Sequence, residues 1–177
     1  MNKILVVVDM QNDFIDGVLG TPEAQAIVPN IKKKIEKCRT QGYKIIFTRD
    51  THSENYFDSV EGKLLPIKHC IENTNGWEIC SGLYSREDVV LNKHAFGLFN
   101  IGDTIKTVLN NESIKSIEIV GVMLNVCVIS NALILKSYFP NIPICVDLNC
   151  TAATSQQEFD AAVRILNCCH IDTSKLG

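Results

Sequence analysis

Three side chains that could form one catalytic centre lie at the ends of predicted strands. Asp9 follows the first predicted strand, Lys93 follows the third, and Cys127 lies just past the fourth. Because the carboxyl ends of parallel strands meet at one edge of a sheet, where ligands bind in open α/β folds, we expect these side chains to converge. A carboxylate, an ammonium group and a thiol together suit acyl transfer, with Cys127 as the nucleophile.

The surroundings of Cys127 favour a reactive thiol. The residue falls in the first turn of a predicted helix, where unpaired amide N–H groups and the helix dipole favour a thiolate. Lys93 would add a charge worth on the order of 4 kcal/mol at about 4 Å, whereas lowering the thiol pKa from about 8.5 to about 6.5 needs about 2.7 kcal/mol. We therefore predict that Lys93 holds the thiol as an anion and that Asp9 accepts and returns its proton. The alternatives are an inert buried cysteine, an aspartate that caps a loop and a lysine on the surface.

A second group of side chains could bind a metal ion. Asp50 and His52 directly follow a predicted strand, and Glu61 or Asp58 and then His69 come later in the same loop. Imidazole and carboxylate ligands suit zinc, iron or manganese. We predict a divalent metal site, with zinc as the first choice. The alternative is a hydrogen-bonded polar loop without a metal.

Both groups depend on an alternation of strands and helices. We predict strands over residues 3–8, 44–48, 89–91, 116–122 and 142–146, with a last short strand near Ile171. We predict helices over residues 24–41, 101–109 and 125–137, and a fourth from a Ser155–Glu158 capping box to about residue 167. This alternation indicates an α/β fold whose parallel sheet is covered by helices on both faces. The segment from Asp50 to Arg86 has no clear element, and its polar and aromatic content favours a functional loop.

The composition narrows the class of protein. A chain of 177 residues suits one domain, residues 1–177. The net charge of −3 and the lack of a basic patch argue against nucleic acid, and no apolar run is long enough to cross a membrane. Eight cysteines without a CxxC pair or a leader segment favour free thiols over a disulfide framework. We expect a cytoplasmic protein that acts on a small molecule and could form a homo-oligomer.

The chain resembles the isochorismatase-like cysteine hydrolases over nearly its full length, and within them the nicotinamidases. Three features in this order carry the resemblance: a D-x-Q-x-D-F segment at Asp9, a lysine after the third strand at Lys93, and a G-x-x-x-x-x-C-V segment at Cys127. The resemblance implies a six-stranded parallel sheet between helices and a catalytic triad of these three residues. It also implies an acyl-enzyme on Cys127, an oxyanion hole made by the backbone N–H groups of Met123 and Cys127, and a cis Val122–Met123 bond.

The resemblance further implies a metal site and a substrate. Asp50, His52 and His69 would bind a divalent cation, and Glu61 would add a ligand from an E-x-K-L-x-P segment. The cation would hold waters and the pyridine nitrogen of a substrate, and Phe14 would pack against its flat ring. The expected reaction is therefore the hydrolysis of nicotinamide to nicotinate and ammonia.

Other reactions and classes stay open at this point. The chain departs from the family pattern at Met123-Leu124 and just before His69, in the predicted substrate pocket. Another small amide, a carbamoyl compound or an enol ether is the alternative substrate, and the enol ether would not need the thiol. A non-catalytic binding module and a redox sensor that pairs Cys127 with Cys150 are alternatives of a different class. His94 and His170 are expected to be structural or exposed.

Overall fold

A parallel sheet of five strands in the order β3-β2-β1-β4-β5 forms the centre of the molecule. The computed structural model describes residues 1–174, and the last three residues of the predicted domain 1–177 lie outside this range. The strands are β1 (Asn2–Val8), β2 (Lys44–Asp50), β3 (Val89–Lys93), β4 (Ile114–Val122) and β5 (Ile144–Ala152). The helices are α1 (Asn12–Ile15), α2 (Pro22–Thr40), α3 (Val60–Leu64), α4 (Ile101–Val108), α5 (Ile129–Tyr138) and α6 (Gln156–Cys168).

Each face of the sheet carries its own apolar core. Along β1, Ile4, Val6 and Val8 pack with α4, α5 and α6, while Leu5 and Val7 pack with α1 and α2 on the opposite face. Successive side chains of a strand point to opposite faces, so a strand buried on both sides reads as a continuous apolar run. The α/β fold with three layers is therefore confirmed.

The prediction of six strands is wrong. Near Ile171 the chain makes a single bridge, in which Asp172 N–H donates to Ile144 O at 3.0 Å and Asp172 O accepts from Val146 N–H at 2.8 Å. The Asp172 side chain then accepts hydrogen bonds from the N–H and the hydroxyl of Ser174. Such a local turn competes with the ladder, so the pairing stops after one residue.

Three element boundaries matter for the sites. β2 runs on to Asp50 and β3 to Lys93, so both residues end strands. The loop that follows β2, predicted to have no clear element, contains a 3₁₀ turn (Tyr56–Asp58) and α3. The helix predicted over 125–137 begins instead as a π-helical turn (Leu124–Val128), which continues into α5.

All eight cysteines are free thiols in the structure. In the part of the chain that the structure describes, no helix has the length and apolar character needed to cross a membrane.

Gly121 allows β4 to approach the end of β1. Its φ is +117°, and a Cβ added there would lie 2.0 Å from Val8 O. A side chain at this position would force the two strands apart just where Asp9 and the π-helical turn follow. Only glycine fits such a close approach of two backbones.

Replacing Gly121 by alanine should therefore destabilise the protein by about 3 kcal/mol or more, because strain and overpacking act together. Gly42→Ala is the matched control, since Gly42 also has a positive φ (+74°) but has open space around it. That variant should lose only about 1–2 kcal/mol. Urea unfolding curves measure both, and equal losses would show that the close approach of β1 and β4 is unimportant.

Candidate active site

The structure brings the three predicted catalytic side chains together. Lys93 Nζ lies 2.9 Å from Asp9 Oδ2 and 3.5 Å from Cys127 Sγ. All three residues are buried, with Cys127 retaining 5% of its exposure. The ammonium group of Lys93 therefore contacts both the carboxylate and the thiol.

Asp9 is held in an uncommon backbone conformation. Its φ is +50°, a region that aspartate visits more readily than most residues. Asp9 N–H donates to Thr48 O at 3.2 Å, and the Thr48 hydroxyl donates to Asp9 Oδ1 at 2.7 Å. The other oxygen, Oδ2, has the Lys93 ammonium beside it, yet no donor among residues 1–174 makes a well-aligned hydrogen bond to it. Oδ2 is thus the carboxylate oxygen that keeps a lone pair free of hydrogen bonds from residues 1–174.

Lys93 contacts a second carboxylate that the sequence did not reveal as its partner. Its Nζ lies 2.9 Å from Asp50 Oδ1, because Asp50 and Lys93 are register partners at the ends of β2 and β3. Burial lowers the pKa of Lys93, but the negative charges of Asp9 and Asp50 outweigh burial and raise it above its usual value. Lys93 therefore remains a cation.

The pKa of the Cys127 thiol is raised well above its usual value. Burial is the largest cause, the charges of Asp9 and Asp50 add to it, and Lys93 offsets only part of the rise. Burial also raises the pKa of Asp9, although Lys93 opposes the change. The direction of this pKa shift is therefore opposite to the one predicted from the sequence, which counted the Lys93 cation and omitted burial and two carboxylates.

The turn that carries Cys127 also places the backbone groups predicted as an oxyanion hole. The Val122–Met123 bond is cis, as the resemblance implied. Met123 O accepts the N–H groups of Val126 at 3.0 Å and Val128 at 3.1 Å. The N–H groups of Val126 and Val128 therefore already have a hydrogen-bond partner. That the N–H groups of Met123 and Cys127 form an oxyanion hole stays a prediction.

The predicted metal ligands form one cluster. Asp50, His52, Glu61 and His69 each offer one ligand atom, and these atoms lie within 4.8 Å of one another. Asp50 Oδ2 lies 3.0 Å from His52 Nε2 and 3.6 Å from His69 Nε2, and Glu61 Oε1 lies 3.7 Å from His69 Nε2. The alternative ligand Asp58 is exposed and outside the cluster.

The cluster has the chemistry and the spacing for a divalent cation. Two imidazoles and two carboxylates are ligands that zinc, iron and manganese accept, at about 2.0–2.2 Å from zinc. His69 Nδ1 is hydrogen-bonded to Ile67 O at 2.9 Å, which leaves Nε2 to face the centre of the cluster. Burial raises the pKa of Asp50, but hydrogen bonds from His52 and His69 and the charge of Lys93 bring it well below its usual value. Asp50 is therefore ionised and ready to bind a cation.

Three buried or half-buried polar residues missed by the sequence reasoning hold these segments in place. Gln11 Nε2 donates to Asp50 O and to Trp77 O, both at 2.9 Å, and Gln11 Oε1 accepts from Asp50 N–H at 2.7 Å. Asp13 Oδ2 accepts from Cys70 N–H at 2.7 Å, next to His69. Gln11 and Asp13 belong to the D-x-Q-x-D-F segment, in which only Asp9 and Phe14 are given roles by the sequence.

Asn131 is the third of these residues. It is fully buried on α5, and its Nδ2 donates to Cys127 O at 2.8 Å and to Phe96 O at 3.2 Å. Its Oδ1 accepts from Leu98 N–H at 2.9 Å. Asn131 thus connects the turn that carries Cys127 to the segment that follows Lys93. An asparagine in a helical apolar pattern gave no sign of this role.

A cavity of about 320 Å³ gives access to both groups. Apolar side chains form most of its wall: Phe14, Leu19, Leu65, Phe96, Met123 and Val126. Cys127, Asp50, Glu61 and His69 also face it. Phe14 lies in the wall, edge-on to His69, with ring centroids 5.6 Å apart. The cavity thus joins the Cys127 thiol and the metal-ligand cluster in one site.

His94 and His170, predicted to be structural or exposed, do not belong to the metal-ligand cluster. His94 is exposed and bonded through Nδ1 to Thr51 O, and His170 is exposed beyond α6. Cys127 packs in the core on one face of the sheet and Cys150 in the core on the other. The proposed pairing of these two thiols in a redox sensor therefore has the sheet between its partners.

Comparison with known proteins identifies the family. The Isochorismatase domain family matches residues 3–174. Since this match covers nearly the whole chain, the protein belongs to the isochorismatase family of hydrolases, and the resemblance seen in the sequence is confirmed.

Three similar proteins carry amidase names, and one of the three is named as probably inactive. A probable inactive nicotinamidase from Arabidopsis thaliana is 27% identical over 166 residues, or 85% of this chain and 82% of the relative. N-carbamoylsarcosine amidase from Thermoplasma acidophilum has a TM-score of 0.80 and 28% identity, over 99% of this chain and 96% of that one. Pyrazinamidase of Pyrococcus horikoshii, solved in complex with zinc, has a TM-score of 0.86 and 24% identity, over 99% of this chain and 100% of that one. The last likeness supports the fold alone.

Replacing Lys93 by methionine should move the alkylation of Cys127 by iodoacetamide to higher pH. Lys93 is the group that lowers the thiol pKa, so its loss raises that pKa further and leaves less thiolate at any given pH. Mass spectrometry of the Cys127 peptide across roughly pH 6–10, the range in which thiols titrate, measures the shift. Lys68→Met, at an exposed lysine paired with Glu54, is the control and should leave the profile unchanged. An unchanged profile in the Lys93 variant would remove the ammonium from its role.

Replacing His52 by alanine should lower the content of bound divalent metal, because it removes one of four clustered ligands. The loss in affinity should be about tenfold or more. Elemental analysis after loading with zinc and gel filtration measures it. Asp58→Asn is the matched control at the exposed acidic residue of the same loop. Equal metal in the two variants would contradict the assignment of the cluster.

Proposed function

We propose that this protein is a metal-dependent cysteine amidohydrolase that hydrolyses a small primary amide, with nicotinamide as the leading substrate. The observation that carries the proposal is the position of the Lys93 ammonium, 2.9 Å from Asp9 Oδ2 and 3.5 Å from Cys127 Sγ at the wall of a cavity. The Arabidopsis relative is named a probable inactive nicotinamidase, so the choice of nicotinamide rests on the resemblance of the site residues to the nicotinamidases and not on that relative's activity.

The first half-reaction forms an acyl-enzyme. Cys127 Sγ attacks the amide carbonyl carbon while its proton passes to Asp9 Oδ2, the oxygen without a well-aligned donor. A carboxyl group whose pKa is raised by burial is a stronger base than an ordinary aspartate, which favours this transfer. The backbone N–H groups of Met123 and Cys127 would stabilise the oxyanion. Asp9 then returns the proton to nitrogen, the C–N bond breaks, and ammonia leaves.

The second half-reaction releases the acid. Water attacks the thioester carbon as Asp9 accepts one of its protons, the C–S bond breaks, and the proton returns to Cys127. The sum is one amide and one water converted to one carboxylic acid and one ammonia. Lys93 remains a cation throughout because two carboxylates hold its pKa above its usual value.

The metal-ligand cluster would bind the substrate beside the thiol. Asp50, His52, Glu61 and His69 would hold a divalent cation, with zinc as the first choice, and the cation would supply a Lewis-acid contact for a ring nitrogen or for water. Phe14 and the other apolar walls would pack on a flat ring. Asp50 links this cluster to the catalytic group, since its other oxygen contacts Lys93.

A carbamoyl compound is the second candidate substrate. The likeness to N-carbamoylsarcosine amidase covers 99% of this chain at 28% identity, close to the identity with the Arabidopsis relative. A carbamoyl group presents the same carbonyl and the same leaving nitrogen to Cys127. Turnover of N-carbamoyl amino acids without turnover of nicotinamide would favour this candidate.

The proposal predicts that zinc-loaded protein releases ammonia from nicotinamide and that Cys127→Ala and Asp9→Asn each lower kcat/KM by about 10³-fold or more. An enzyme-coupled ammonia assay measures both. Cys150→Ala, which changes a buried thiol on the other face of the sheet, is the control and should retain activity. Near-normal activity in either of the first two variants would overturn the cysteine mechanism, and full activity of Cys127→Ala on an enol ether would favour that alternative.

A further inference from the structure

The active-site cavity continues into an open apolar groove on the protein surface. The groove has a volume of about 470 Å³ and shares Glu61, Leu65, Phe96 and Val126 with the cavity. Beyond these shared walls it is bounded by α3 on one side and by the segment 94–96 on the other. A molecule whose carbonyl lies at Cys127 could therefore extend into the groove without leaving contact with the protein.

The groove exposes large apolar side chains next to one another. Leu64 is 82% exposed, Val60 75% and Phe96 48%. Single exposed apolar residues are ordinary, but a contiguous group at the mouth of a cavity is typical of a surface that something covers.

Both walls of the groove are fixed by hydrogen bonds. On one side, the hydroxyl of Tyr56 donates to Leu65 O at 2.9 Å, and Gly62 N–H donates to Ser59 Oγ at 2.8 Å at the start of α3. On the other side, Asn131 holds Phe96 O, and His94 Nδ1 is bonded to Thr51 O at 2.9 Å. The groove is thus formed before any ligand binds, which reduces the cost of binding.

We propose that this groove is a subsite for the acyl part of the substrate, and that the protein prefers primary amides with an uncharged alkyl or aryl extension. The inference rests on the proposed function. Since the amide loses ammonia, an extension can be attached only on the acyl side of the carbonyl. The shared wall is apolar except for Glu61, which the metal ion would engage, so no side chain of that wall would pair with a charged extension.

A series of aliphatic amides tests the subsite. Propanamide, butanamide, hexanamide and octanamide have the same reactive group, so differences in kcat/KM report on binding of the chain. Each methylene that enters the groove should raise kcat/KM by roughly threefold, until the groove is filled. Nicotinamide serves as the small reference substrate.

Leu64→Asn tests the groove itself, because Leu64 contributes to the groove and not to the inner cavity. The substitution adds polarity without charge and should lower the ratio of octanamide to propanamide kcat/KM by about tenfold. Phe99→Asn is the matched control at an 89% exposed apolar residue that lines a different groove. It should keep the ratio of the unmodified protein.

Direct binding separates this inference from the proposed function. Titration calorimetry of the Cys127→Ala protein measures affinity for the same four amides without turnover. If short amides are hydrolysed but neither kcat/KM nor affinity rises with length, the subsite is wrong and the proposed function stands. If affinity rises with length and no amide is hydrolysed, the subsite stands and the proposed function fails. If sedimentation shows a dimer that Leu64→Asn dissociates and length has no effect, the groove is an interface between copies and the subsite is wrong.

Discussion

A buried ammonium group shared by two carboxylates is the interaction on which both halves of the site depend. Lys93 Nζ lies 2.9 Å from an oxygen of Asp9 and 2.9 Å from an oxygen of Asp50. Two negative charges and one positive charge leave a net negative charge in a buried place, which is costly without further compensation. The second oxygen of Asp50 faces His52 and His69, where a cation would supply that compensation. The metal-ligand cluster and the catalytic group are therefore electrostatically coupled through one aspartate.

The order of the strands explains why this arrangement forms. Lys93 ends β3, Asp50 ends β2, Asp9 follows β1 and Cys127 follows β4, and these four strands are neighbours in the sheet in that order. All are parallel, so their carboxyl ends lie along one edge. Each functional side chain then needs only a local adjustment. Asp9 has a positive φ, and the turn after β4 follows the close approach that Gly121 allows.

Residue type and strand position were sufficient to predict that Asp9, Lys93 and Cys127 lie together and that the metal-ligand candidates form a cluster, because both depend on which strand ends share an edge. The sequence was insufficient where the outcome depends on register or on burial. The pairing of Asp50 with Lys93 follows from the register of β2 and β3, and no periodicity in the chain records it. The direction of the Cys127 pKa shift depends on that second carboxylate and on the burial of the thiol, and the sequence reveals neither. The missing sixth strand has a similar cause, since a side-chain turn at Asp172 replaces the ladder.

The raised pKa values of Cys127 and Asp9 are compatible with catalysis when the charges are counted through the proton transfer. Before transfer the carboxylate is negative and the thiol neutral; after transfer the thiolate is negative and the carboxyl group neutral. The net charge is the same, and the negative charge has moved between two atoms that lie 2.9 Å and 3.5 Å from the same ammonium nitrogen. Lys93 therefore stabilises both states by similar amounts and lowers the cost of moving the charge. A cation placed beside the sulfur alone would stabilise the thiolate and make it a weaker nucleophile. The shared ammonium thus suits a nucleophile that is formed in the reaction step better than one that is stored as an anion.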